Sequence, residues 1–190
     1  MATTKHTLIA LVEDKPGVLN RMASLFRRRG FNIESIAVGH SEMPHLSRMT
    51  IVVDGAATMV EQVRKQLDKL VVTIKVSDIT SDDMVARELA LIKVKATSTT
   101  RSEIMQIVDI FRANIVDVSS ESVTVEVTGD EEKIDSLLSL LRGFGIREVS
   151  RTGRIAMTRG SSSQLEMNKK SSRTSAKDKK QPESYLGETE

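Results

Sequence analysis

The chain has 190 residues, of which 39% are hydrophobic and 28% charged, and its formal net charge is +2. This composition is typical of a globular protein, and so small a net charge argues against nucleic acid or a membrane as a partner. The absence of cysteine excludes disulfides, thiolate nucleophiles and cysteine-ligated zinc. The opening MATTKHT has no apolar signal core, and no apolar run approaches the roughly 20 residues that span a bilayer, so we expect a cytoplasmic protein.

Between residues 5 and 78 the chain alternates strand and helix periodicities in the order βαββαβ. A β-rich apolar run over 6–12 comes first, and alternating apolar residues predict three further strands around Ile36, Ile51 and Ile74. Two stripes of apolar residues at helical spacing predict the helices: Val18, Met22, Leu25 and Phe26, then Val60, Val63, Leu67 and Leu70. Gly30 is placed to end the first helix, because glycine tolerates the left-handed conformation of a C-cap.

Residues 85 to 151 repeat the same order, with alternating strands around Ile92 and Val125 and a closing strand over 146–150. The sequence therefore predicts an α+β fold of two tandem ferredoxin-like βαββαβ units, at 5–79 and 83–159. The boundary is expected near Thr80, in the polar SDITSDDMV. Residues 161–190 hold seven Ser and eleven charged residues but only five apolar ones, which predicts a disordered C-terminal tail.

The stretch EDKPGVL, residues 13–19, joins the first predicted strand to the first helix. A strand that enters a helix through Pro and Gly leaves first-turn amides unpaired at the partially positive helix end, which suits an anion. Amides near Gly17, Val18 and Leu19 fit a carboxylate, and Asp14 fits an ammonium group, so one loop matches both ends of an amino acid. On the loop alone, an unoccupied turn before a helix is the simpler interpretation.

Other chemistries lack a motif in this sequence. His40 and His45, with Glu42, could hold a metal only if a loop folded them together, and a polar hairpin loop explains them equally well. No nucleophile elbow, SxxK pair, P-loop or GxGxxG after a strand is present. The run 27–29 is Arg-Arg-Arg, and it falls in the last helical turn, where cations complement the dipole; the alternative is a phosphate site.

A βαββαβ unit with Asp-x-Pro-Gly-Val-Leu at its first strand–helix turn resembles an ACT domain, a regulatory module that binds amino acids. The segments HTLIALVEDKPGVLNRMASLFRRRGFNIESIAVG, LSRMTIVVDG and QLDKLVVTIKVSDI closely resemble the acetolactate synthase (acetohydroxyacid synthase) small regulatory subunit family. The resemblance runs from about His6 to Arg159 and includes RELALIKVKA and SRTGRIAMTRG, but not the tail.

The resemblance implies a non-catalytic partner of a thiamine-diphosphate enzyme in branched-chain amino-acid synthesis. It implies that this subunit activates the catalytic large subunit and confers feedback inhibition, usually by valine, and that it forms a homodimer through paired ACT domains. Thiamine diphosphate, Mg and FAD are expected on the catalytic subunit, and no cofactor on this chain. Matching positions give the effector site: Asp14, Gly17, Val18 and Leu19 from one chain, with Asn32 and Ile33 from its partner.

Many relatives carry Asn where this chain has Asp14, and the effector preference among valine, leucine and isoleucine depends on such details. The second half has ATSTTRSE after its first strand, without Pro or Gly, so only the first half is expected to bind the effector. Two rival functions remain: a transcription regulator that responds to amino acids, and an enzyme that acts on them. The first needs a DNA-reading helix pair and the second a catalytic acid, base or metal.

Overall fold

In the first unit, apolar residues three and four positions apart form one face of each helix, and this face packs against the sheet. A computed structural model describes residues 5–160. The first unit consists of β1 (Lys5–Glu13), α1 (Val18–Arg29), β2 (Ile33–His40), β3 (Leu46–Asp54), α2 (Ala57–Asp68) and β4 (Thr73–Asp78). Its antiparallel sheet has the strand order β2-β3-β1-β4. This is the predicted βαββαβ order.

The second unit repeats the arrangement with different residues. It consists of β5 (Met84–Lys95), α3 (Arg101–Ile110), β6 (Asn114–Val118), β7 (Ser122–Gly129), α4 (Glu131–Leu141) and β8 (Ile146–Arg151). The strand order is β6-β7-β5-β8, again with antiparallel neighbours. The predicted α+β fold of two such units is thereby confirmed. The tail predicted at 161–190 lies outside the described residues.

The first helix follows its sequence pattern closely. All four residues of its predicted stripe are buried, and they pack on Leu8, Ala10 and Val12 of β1. The helix ends at Gly30, whose φ of 69° lies in the left-handed region and whose amide bonds to carbonyls of the last turn. Helix spacing and the C-cap glycine therefore predicted this element correctly.

The last strand, β9 (Ile155–Thr158), was not predicted. It pairs antiparallel with Met84–Arg87, the first residues of β5, which extend beyond the second sheet. The ribbon formed by β9 and these β5 residues covers the face of the first sheet opposite α1 and α2. Buried residues at this contact are Ile9, Leu11, Ile79 and Ala156. The two units are thus joined through a shared apolar layer.

One predicted alternation was wrong in detail. Regular alternation in the strand predicted around Ile74 would place Ile74 on the same face as Val72 and Val76, but Ile74 is 41% exposed while Val72 and Val76 are buried. The pairing of β1 with β4 shifts register between Leu11 and Val12, which marks a bulge opposite residues 73–75. A bulge turns the extra residue out of the regular alternation, so Ile74 leaves the core face.

Candidate functional site

The turn between β1 and α1 is built around Gly17. Its φ of 85° lies in the left-handed region, where glycine carries no steric penalty, and it forms the N-cap of α1. Asp14, three residues before Gly17, is fixed to the β2–β3 hairpin, because its amide donates to the His45 carbonyl at 2.8 Å. The geometry of this turn therefore depends on a neighbouring loop as well as on its own sequence.

The first turn of α1 leaves backbone donors free. No side chain caps the helix, and its first turn contains no acidic residue. The Val18 amide makes only a long 3.5 Å contact with the Lys15 carbonyl, and the amides of Leu19 and Asn20 have no hydrogen-bond partner within residues 5–160. Free donors at the positive end of a helix provide favourable electrostatics for a carboxylate.

The side chains around this turn divide into core and surface. Val18 is 4% exposed and belongs to the core, so only its backbone faces the turn. Leu19 is 52% exposed and offers an apolar surface beside the amides. The Asp14 carboxylate is exposed and lies 3.2 Å from Nδ1 of His40, at the end of β2. This pairing was missed from sequence, because the two residues are 26 positions apart.

The remaining predicted site residues, Asn32 and Ile33, lie at the other end of the sheet. Ile33 pairs with Val53, which pairs with His6 near the start of β1, whereas the Gly17 turn follows the end of β1. Six or seven residues of strand separate the two ends, which is about 20 Å. One chain therefore brings Asp14, Gly17, Val18 and Leu19 together but does not bring Asn32 and Ile33 to them.

The helix starts of the second unit differ from that of α1. The first turn of α3 contains Glu103, whose negative charge opposes a bound anion. Asp130 caps α4, since its Oδ1 accepts a hydrogen bond from the Lys133 amide at 2.9 Å, and two glutamates follow it. Neither helix start of the second unit therefore suits a carboxylate.

Four other kinds of functional site are conceivable in the described residues: a histidine site, a metal site, a membrane-spanning helix and a phosphate site at Arg27–Arg29. His6 is 8% exposed and its Nδ1 lies 3.1 Å from Asp78. Within residues 5–160, no group of three or more His, Cys, Asp or Glu side chains is placed to hold a metal ion. No helix in that range is long and apolar enough to cross a membrane. The Arg27–Arg29 run occupies the last turn of α1, as its position in the helix predicted.

An ion-pair cluster fixes the two units against each other. Glu131 of α4 bonds to Lys5 of β1 at 2.5 Å and to Arg154 at 2.7 Å. Arg154 also donates through its backbone amide to Ser35 Oγ at 2.9 Å. The hydrogen bond that Lys5 donates to Glu131 holds the pKa of the Glu131 carboxyl below its usual value, and the same hydrogen bond raises the pKa of Lys5.

The βαββαβ order of the first unit, with its open strand–helix turn, places this chain in the class of ACT-domain proteins. Two family models match the chain. The AHAS small subunit-like ACT domain matches residues 8–75, and the small subunit of acetolactate synthase matches residues 87–160. The chain belongs to the acetolactate synthase small subunit family, as its similarity to individual relatives shows.

Two relatives and one solved structure illustrate the similarity. A probable acetolactate synthase small subunit of Archaeoglobus fulgidus is 59% identical over 82% of this chain and 98% of its own length. The acetolactate synthase small subunit of Mycolicibacterium smegmatis is 54% identical over 83% and 93%. The crystal structure of the small subunit from Thermotoga maritima is 44% identical, with a TM-score of 0.77 over 84% of this chain and 99% of that one. The family resemblance read from the sequence is confirmed.

Proposed function

We propose that this chain is a non-catalytic regulatory subunit that activates the catalytic large subunit of acetolactate synthase and confers feedback inhibition by valine. Membership of the small-subunit family supports a regulatory role. The observation that carries the effector assignment is the β1–α1 turn, which carries unpaired amides, an exposed apolar side chain and a carboxylate within residues 14–19. These three features match the carboxylate, side chain and ammonium group of a free apolar amino acid.

In this proposal a second copy of the chain completes the effector site. Strand β2 is at the edge of the first sheet, and its Ile36 and Val38 are 39% and 46% exposed. Two β2 strands that pair antiparallel about a two-fold axis would place the start of one beside the end of the other. Asn32 and Ile33 of one chain would then lie near the Gly17 turn of its partner, which overcomes the separation of about 20 Å within one chain.

Each site residue has a separate role in the bound state. The backbone at Gly17, Val18 and Leu19 receives the effector carboxylate, and Asp14 accepts hydrogen bonds from its ammonium group. The apolar side chain of valine contacts Leu19 and Ile33 of the partner subunit. An ammonium group near Asp14 would compete with His40, now 3.2 Å away, so binding would rearrange this pair.

Valine bound between two chains would favour one arrangement of the dimer over another. A ligand shifts such an equilibrium only by its differential affinity for the two states, typically 1–3 kcal/mol of coupling. The catalytic subunit carries thiamine diphosphate, Mg and FAD in this proposal, and this chain supplies no cofactor. The assembly would act in the cytoplasm.

Acetolactate formation tests the proposal directly. The cognate catalytic large subunit is assayed alone and with the full chain, each with and without valine, while sedimentation gives the mass of the chain alone. Activation that valine suppresses, together with a dimeric mass, is the expected result. No activation with both proteins folded and in excess would overturn the regulatory role. Activation without a valine response would overturn only the effector assignment.

A further inference from the structure

A second concave region lies on the face of the first sheet opposite α1 and α2, where that sheet meets β9. This β9 groove has a volume of about 340 Å³, and its lining includes Ala37, Arg48, Thr50, Ile155 and Met157. Ala37 pairs with Thr50, which pairs with Ile9 on the face covered by the β5–β9 ribbon. The groove is on the opposite face of the sheet from α1, and it comes close to the Gly17 turn at His40, which lines the groove and lies 3.2 Å from Asp14.

Arg48 supplies a cation without a direct ion pair, and the one carboxylate among residues 5–160 that acts on it electrostatically is Glu42, which is outside the groove lining. Its Nη2 donates to the Ala156 carbonyl at 3.0 Å, and no carboxylate within residues 5–160 approaches it within 4.0 Å. Its Nε and Nη1 groups have no hydrogen-bond acceptor in that part of the chain. Burial lowers the pKa of Arg48, because the half-buried guanidinium has lost part of its hydration. An anion in the groove would restore the lost stabilisation of this charge.

Thr50 supplies a hydroxyl to the lining of the groove. The residue is 3% exposed, and its side chain is one of the few polar groups in an otherwise apolar lining. A hydroxyl can donate a hydrogen bond to a ligand oxygen placed in the groove. Arg48 and Thr50 are two residues apart on β3 and so face the same side of the sheet.

The rest of the groove is apolar and has room for a small aliphatic group. Ile155 and Met157 are 57% and 58% exposed, and they lie two residues apart on β9. Gly39 adds space beside Ala37, since a Cβ built on it would meet no atom within 4 Å. Among residues 5–160, the groove lining contains two arginines and one histidine but no carboxylate: Arg48, Arg87 and His40.

We propose that the β9 groove binds an aliphatic monocarboxylate that lacks an amino group. The carboxylate bonds to Arg48 and accepts from the Thr50 hydroxyl, while the aliphatic part packs on Ile155 and Met157. An ammonium group would face two arginines and find no carboxylate in the lining. The groove therefore selects against amino acids, in contrast to the Gly17 turn with its Asp14. This inference does not rest on the proposed function, although the two sites share a border at His40, which lines the groove and pairs with Asp14 of the effector site.

The test uses the full chain with ¹³C-labelled Ile and Met methyl groups and three ligands of the same carbon skeleton. 3-Methylbutanoate is the probe, valine adds an amino group to it, and 3-methylbutanamide removes its charge. We expect saturable shifts of the Ile155 and Met157 methyl signals with 3-methylbutanoate, and none with the other two. Arg48→Met should weaken binding about tenfold or more, the loss expected for a charge-assisted pair. Arg27→Met, which removes a cation on α1, is the matched control.

Three results would overturn the proposal. Absence of saturation by 3-methylbutanoate would remove the site, and equal binding of the neutral amide would show a groove without anion recognition. A third result concerns a second copy of the chain as the occupant of the groove. If Met157→Ser halves the mass in sedimentation and 3-methylbutanoate leaves the methyl signals of the native chain unchanged, the groove is a contact between copies.

A second variant tests the groove by filling it. Gly39 has no positive φ, so Gly39→Val adds side-chain volume without backbone strain. It should abolish the carboxylate-induced shifts while the thermal midpoint stays unchanged.

Discussion

Replacing Gly17 by Asp tests whether the α1 turn receives the effector carboxylate. The added Cβ would meet no atom within 4 Å, so the substitution fits sterically. The φ of 85° costs a non-glycine residue roughly 1–2 kcal/mol of folding free energy, a cost that Asn at the same position shares. Gly17→Asn is therefore the matched control, because it has the same shape and backbone cost without the charge.

The charge alone separates the two variants. Two unit charges about 4 Å apart repel by about 1 kcal/mol in water and about 4 kcal/mol near a protein surface. Gly17 is exposed, so the lower half of this range applies. About 1–2 kcal/mol corresponds to a factor of roughly 5 to 30 in binding. We therefore expect Gly17→Asp to raise the valine concentration for half-inhibition by roughly 5 to 30 times relative to Gly17→Asn.

The assay is acetolactate formation by the catalytic large subunit with a saturating amount of each variant, over a series of valine concentrations. Activation without valine should be similar for both variants, because Gly17 is exposed and the two substitutions share the same backbone cost. Equal valine responses of Gly17→Asp and Gly17→Asn, with activation intact, would refute the assignment of the amides to the carboxylate.

Three further predictions concern single side chains. Asp14→Asn should weaken valine inhibition a few-fold, because a carboxylate near an ammonium contributes about 1 kcal/mol in solvent; inhibition at an equal or lower valine concentration would contradict this role. Glu131→Gln should lower the thermal midpoint at pH 7 and flatten the loss of stability below pH 4.5. The folded-state pKa of Glu131 is depressed, so its contribution is present above the unfolded value and is lost as pH falls through the folded one; an unchanged pH profile in denaturant titrations would contradict it. Leu137→Ala, at a fully buried position, should cost about 2–5 kcal/mol and lower the thermal midpoint by roughly 4 to 20 °C, and a loss below about 1 kcal/mol would show a core that collapses around the site.

The helices and most strands were predicted from the sequence, because the periodicity that identifies each of them lies within the element itself. The α1 stripe repeats at helical spacing over nine residues, and Gly30 lies directly after the last turn. A stripe of this length distinguishes helix from strand, and a glycine at the end adds an independent signal. The boundaries of α1 follow from the sequence for this reason.

Strand β9 could not be predicted with the same rules. It has four residues, too few to distinguish alternation from an irregular segment, and its partner Met84–Arg87 lies about seventy positions earlier. A signal was present, since Gly153 and Gly160 bracket the segment 155–158. That signal gives the ends of a strand but not its partner, so the ribbon over the first sheet and the β9 groove beneath it were both missed.

The candidate effector site was predicted in part for a related reason. The loop at residues 13–19 carries its own signal, because Pro and Gly between a strand and a helix expose amides locally. The partner of Asp14 does not follow from the loop, since His40 reaches it only through the order of strands in the sheet. Arg48 and Thr50 became candidates for ligand binding only when the structure placed both in the lining of the β9 groove.

The two units share a fold but differ at the start of their first helix, and in the proposed function this difference limits each chain to one effector site. After β5 the hydroxyls of Thr97 and Thr100 bond to each other at 3.0 Å, and each also accepts a hydrogen bond from the other's amide. The loop is thereby closed on itself, and Glu103 follows in the first turn. At Gly17 the corresponding donors stay free, and we propose that they form the carboxylate site of each chain. In the proposed dimer, a two-fold pairing of β2 strands would complete each site with residues of the other chain, so the dimer would bind two valine molecules, one at each end of the shared strand pair.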